Sequence, residues 1–158
     1  MVLMASCNTV TAPADPTNNL PDGSVAATVD GSYWQSTQIP LVSGGAEAIR
    51  KPAAGTISIA GTKVTSTSDA QVLSLNLSRL GTDTDTLGLL NIGTFSTGKA
   101  SNQTWASAGI NAGIATVTKY DTVNKLISGT FYFSAINTDM NTKQITNGTF
   151  KNVPWKDQ

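Results

Sequence analysis

The single cysteine of this 158-residue chain, Cys7, follows Val2-Leu3-Met4-Ala5-Ser6. Apolar residues, then small ones, then a thiol is the order in which a bacterial lipoprotein signal ends. The apolar run enters the membrane, the small residues admit the peptidase, and the thiol receives lipid. Cys7 is therefore the expected lipid-attachment site and the first residue of the mature chain. Only six residues precede it, fewer than the basic segment and apolar stretch of about 7 to 15 residues that an export signal needs. Residues 1–6 read as the residual end of such a signal.

Trp34, Trp105 and Trp155 are the next candidates, because an exposed indole stacks on a sugar face or anchors a protein partner. The competing reading is that Trp34 and Trp105 cap the core, each N–H finding a partner at its edge. Asp85-Thr86-Leu87 and Asp121-Thr122-Val123 have the form of an Asp-Thr-apolar acceptor for O-glycan, which marks Thr86 and Thr122. Asp83 with Asp85, and Asn137 with Asp139 and Asn141, are spaced at every second residue so that oxygens could converge on calcium. Neither run carries the glycine and distal glutamate of a complete helix-loop-helix site, and Asn and Asp favour turns for backbone reasons alone. No metal and no cofactor is assigned.

Catalytic equipment is scarce. The chain has no histidine, which removes the usual zinc ligand sets, the commonest general base and the Ser-His and Cys-His pairs. Its acids are one glutamate, Glu47, and nine aspartates, mostly in turn-like segments, so a paired-carboxylate hydrolase is a residual reading only. Ten basic residues balance ten acidic ones, which gives no electrostatic case for nucleic acid. One cysteine allows no internal disulfide, and no apolar run approaches the length of a membrane-spanning helix. Lipid on Cys7 is then the expected route to a membrane.

The elements that must position these residues are strands. Residues 7–24 comprise the lipidated cysteine and a linker: Asn8 to Ser24 holds three prolines, no aromatic residue and one leucine. Such a coil has an r.m.s. span of roughly 20 to 25 Å. Residues 25–158 form one β domain. Asp30-Gly31 between Val25–Val29 and Ser32–Thr37 predicts a hairpin on a type I′ turn, which needs positive φ at both central residues. Val42–Gly55, rich in Gly, Ala and Pro, is expected to be a loop. Thr56–Ala60 and Leu73–Leu77 alternate as half-buried strands. Thr82–Thr86 reads as a polar loop before the apolar run Leu87–Ile92.

Ala115–Tyr120 and Lys125–Ala135 form a long hairpin about Asp121–Asn124, with Ile127, Gly129, Phe131, Phe133 and Ala135 on one face. A last strand spans Lys143–Val153, and Asn147-Gly148 within it suggests a bulge. Together these predict an all-β, antiparallel sandwich or barrel of about eight to ten strands.

Gly113-Ile-Ala-Thr-Val-Thr-Lys-Tyr-Asp121, Asn124-Lys-Leu-Ile-Ser-Gly-Thr-Phe-Tyr-Phe-Ser-Ala135 and Ile145-Thr-Asn-Gly-Thr-Phe150 resemble an uncharacterised Bacteroidota envelope lipoprotein family, a domain of unknown function. Ala27-Thr-Val-Asp-Gly-Ser-Tyr-Trp34 is similar to that family's opening hairpin. The resemblance implies a signal-peptidase II lipoprotein with one small β domain, and it implies no catalytic residue. Met4-Ala5-Ser6-Cys7 fits the lipobox of such proteins. Surface-exported lipoproteins of this phylum tend to carry acidic residues just after the cysteine; Asn8–Thr11 has none, which favours the periplasmic face of the outer membrane.

The expected function is a lipid-anchored, non-enzymatic accessory or interaction module of an outer-membrane protein assembly, with an envelope protein as partner. The alternative is a glycan- or small-ligand-binding lipoprotein that uses Trp34, Trp105 and Trp155.

Overall fold

A computed structural model describes residues 19–37, 45–65, 69–98 and 100–158. Cys7 and most of the linker lie outside the described residues. The described chain is all-β, with eleven strands: β1 (Ser24–Val29), β2 (Ser32–Gln35), β3 (Ala46–Lys51), β4 (Thr56–Val64), β5 (Ala70–Leu77), β6 (Thr84–Leu87), β7 (Ile92–Ser96), β8 (Thr104–Ser107), β9 (Gly113–Asp121), β10 (Leu126–Ile136) and β11 (Thr142–Asp157). They join in one sheet of order β2-β1-β11-β3-β4-β5-β7-β8-β10-β9-β6. An additional pairing of β10 with β11 makes the sheet turn back on itself.

Alternation decides which side of each strand is covered. Ile57 and Ile59 of β4, and Leu73, Leu75 and Leu77 of β5, are buried as their spacing predicts. So are Ile127, Phe131, Phe133 and Ala135 of β10. Asp30 (φ 47°) and Gly31 (φ 82°) make the expected turn of positive φ between β1 and β2. Asn147 (φ 50°) lies where the register of β11 slips against both β1 and β10, which is the expected bulge. Close packing of phenylalanines depends on glycines in facing strands. Gly148 is the register partner of Phe131, and Gly129 that of Phe150; a Cβ at either glycine would overlap the facing ring.

Five expectations need correction. Val42–Gly55 contains a strand, β3, whose inward residues are only Ala46 and Ala48, too small to signal a buried face by hydropathy. Thr82–Thr86 is partly strand, because Thr84 to Leu87 pairs with β9 at the sheet margin. The last strand continues through Pro154 to Asp157, and its end runs parallel to β3, an exception to the antiparallel pattern. The count is therefore eleven strands, above the eight to ten expected. The linker reading also ends too late: Leu20 is 1% exposed, and its carbonyl accepts a hydrogen bond from Lys151 at 2.9 Å.

Candidate functional site

The turn at residues 88–90, between β6 and β7, and the loop at 108–112, between β8 and β9, meet back to back. Gly88 N–H donates to the Asn91 carbonyl at 2.7 Å, closing the first turn, and Ala112 N–H donates to the Leu87 carbonyl at 3.0 Å, tying the second loop to it. Gly88 (φ 153°) and Gly109 (φ 88°) both have backbone conformations that favour glycine, and Gly88 faces the Gly109 carbonyl too closely to admit a side chain. The joined loops hold Leu89, Leu90 and Ile110 outward, at 75%, 81% and 83% exposure. Three large aliphatic side chains raised on hydrogen-bonded backbone form an apolar knuckle. Single exposed apolar residues are ordinary, whereas clustered ones mark interaction surfaces.

Buried polar groups support the knuckle from below. Asn91, 7% exposed, accepts from the backbone N–H and hydroxyl of Ser78 at 2.7 and 2.8 Å, and donates to the Thr86 carbonyl at 3.2 Å. Asp85 is covered beside it, with Arg79 Nε 3.5 Å away. Burial pushes the Asp85 carboxyl up, against the pull of Arg79, and the nearby Asp83 adds to the rise. Asp83 is held low by the Thr84 N–H and by Arg79. Carboxyls pushed apart in this way can serve as an acid and a base. Here Asp83 is engaged by Arg79 and Asp85 is only 3% exposed, so the pair fixes the base of the knuckle. A cavity of about 330 Å³ lies between the supporting groups and the loops, lined among others by Arg79, Thr86, Leu90 and Ile110.

The three tryptophans are not brought together as an exposed set. Trp34 and Trp155 are 3% and 4% exposed, and Trp105 is half-buried against the core, so the expectation of exposed indoles is corrected. Trp155 is covered because β11 extends past it: Tyr120 stacks on it at 5.7 Å and the Arg50 guanidinium lies 4.3 Å from its centroid. Arg50 in turn forks onto Asp157 through Nε at 2.5 Å and Nη2 at 3.0 Å. Trp34 meets Phe95 edge to face at 6.2 Å, and Phe95 meets Trp105 at 6.4 Å. The Lys143 ammonium lies 4.6 Å from the Trp105 ring centroid. The indole N–H groups of all three are covered and make no hydrogen bond among the described residues, contrary to the partners expected at the core edge.

Thr86, on β6, and Thr122, in the β9–β10 turn, are both exposed. Asn137 closes its own turn. Its side-chain oxygen accepts from the N–H groups of Asp139 and Asn141 at 3.1 and 2.8 Å, and its amide donates to the Asn102 carbonyl at 2.7 Å. No group of three or more acidic or thiol side chains that could hold a metal ion occurs among the described residues. The knuckle escaped sequence reading because Leu87–Ile92 looks like one apolar strand. Its signal is the adjacent pair Leu89-Leu90, which a half-buried strand cannot place on one face.

A family model described as Domain of unknown function (DUF6252) matches residues 22–154. The chain belongs to this family. The matched span covers β1 to β10, most of β11 and both loops of the knuckle. Neither curated proteins nor solved structures give a match.

Proposed function

We propose that this domain is a lipid-anchored, non-enzymatic interaction module of an outer-membrane protein assembly in the Bacteroidota cell envelope, docking through Leu89, Leu90 and Ile110. Lipid on Cys7 ties it to the membrane, with the periplasmic face favoured by the absence of acidic residues in Asn8–Thr11. The observation that carries the reading is the knuckle itself. Its backbone is fixed before any partner arrives, so docking would bury three aliphatic side chains without first ordering the loops that bear them. Burying one such side chain contributes about 1.5 to 3 kcal/mol.

Mild-detergent extraction of native envelopes provides the test. A stoichiometric partner is expected with the unaltered protein and is expected to be lost with the L89S/L90S/I110S variant. Recovery of the same partner by both proteins would refute the assignment to the knuckle. The exposed hydroxyls of Thr86 and Thr122 also suit the O-glycan reading, which intact mass of envelope-purified protein tests directly. A second reading, small-ligand binding, is favoured by the cavity beside Trp34.

A further inference from the structure

A cavity of about 350 Å³ opens where the first hairpin meets the ends of β4, β5 and β7. This is within the size range of small-molecule sites and suits one sugar ring rather than a chain. Val29, Trp34 and Phe95 line its apolar part, while Gln71, Ser32 and Thr97 supply an amide and two hydroxyls. Two ammonium groups flank it, and they are not equivalent. Lys143 lies 2.9 Å from the Asp30 carboxylate, which neutralises it. Lys63, which faces Gln71 across the β4–β5 ladder, makes no ion pair among the described residues. Among the described residues, the lining therefore carries one uncompensated positive charge beside one neutralised Lys143–Asp30 pair.

We infer that this cavity binds a carboxylated sugar ring of the uronic-acid type, with Lys63 pairing its carboxylate. One net positive charge matches a monoanion. A dianionic phosphate would leave one of its charges unmatched by the single free cation. Asp30, Ser32, Gln71 and Thr97 can accept from or donate to ring hydroxyls, which a purely aromatic or aliphatic acid lacks. The ring's C–H face would lie against Tyr33, the lining's exposed aromatic at 45%, since Trp34 and Phe95 are buried among their neighbours. Lys143 is a positioning residue: held by Asp30, it leaves Lys63 to carry anion selectivity. This site is separate from the knuckle, so its failure leaves the proposed docking function standing.

NMR titration of the whole domain with D-glucuronate, D-glucose and acetate tests the inference. Glucuronate is expected to shift the Tyr33, Lys63, Gln71 and Thr97 amides saturably, with a Kd of about 1 to 10 mM. Glucose and acetate are each expected to bind about tenfold more weakly or worse. Lys63→Ala should bring glucuronate down to the level of glucose, while Lys63→Arg keeps most of the preference. The inference is overturned by equal responses to glucose and glucuronate, by undiminished glucuronate binding to K63A, or by no saturable shift at any of these residues.

Discussion

Replacing Gly88 with alanine tests how the knuckle is built. At φ 153° an L-residue is strained, and a Cβ there would stand 2.2 Å from the Gly109 carbonyl oxygen. A backbone in such a region costs roughly 1 to 3 kcal/mol and an overpacked contact roughly another 1 to 3 kcal/mol, so the expected loss is about 2 to 5 kcal/mol. For a urea slope of about 2 kcal/mol/M this lowers the unfolding midpoint by about 1 M or more. Gly55→Ala is the control, since Gly55 also has positive φ (66°) but open space around its Cα. Its loss should contain only the backbone share. If the two loops relieve the overlap by parting, the loss appears instead as faster hydrogen exchange at the Gly88 and Ala112 N–H groups, whose bonds close the knuckle. A G88A midpoint no lower than that of G55A, with both amides protected as before, would refute the back-to-back construction.

Gly148→Ala should cost about 1 to 3 kcal/mol through overlap with the Phe131 ring. Phe131→Leu should then cost less in the G148A background than alone, and additivity within about 0.5 kcal/mol in a double-mutant cycle would contradict that contact. Asp85→Asn should stabilise the protein at pH 7. Its folded carboxyl is raised by burial above its unfolded value, so its contribution is lost as pH rises through the folded value, and the variant's advantage should vanish in acid. Asp157, held low by Arg50, and Asp121, held low by Asn124, have the opposite sign. So does Asp30, where burial is outweighed by the Gln144 N–H and Lys143. Their stabilisation is full above about pH 4 and is lost as pH falls through their folded values. Urea midpoints should therefore fall below about pH 4, less steeply for D157N; a midpoint flat down to pH 3 would contradict these pairings.

The parts of the fold legible in the sequence are those where side chains large enough to signal burial alternate with polar ones. β4, β5 and the β9–β10 hairpin are of this kind, and Asp30-Gly31 announced its turn by conformational preference. β3 was hidden because alanine fills its buried positions, and because its parallel partner lies more than a hundred residues away at the C-terminus. β6 was hidden because its inward residues are Asp85 and Leu87, one of them a charged type. The tryptophans misled for a related reason: residue type gives the size of an aromatic surface but not the neighbours that cover it. Tyr120 and Arg50, itself held by Asp157, enclose Trp155 only once β11 reaches β3. The knuckle shows the reverse case, apolar residues that an apolar run assigns to the core but that a glycine-closed turn directs outward.

Site-specific photocrosslinking in producing cells tests the central claim most directly. A photoreactive residue at Leu90 should give one discrete heavier adduct, and the same residue at Val123, equally exposed in the β9–β10 turn, should give none. Equal crosslinking at both positions, or none at Leu90 while envelope extraction still recovers a stoichiometric partner, would contradict docking through the knuckle.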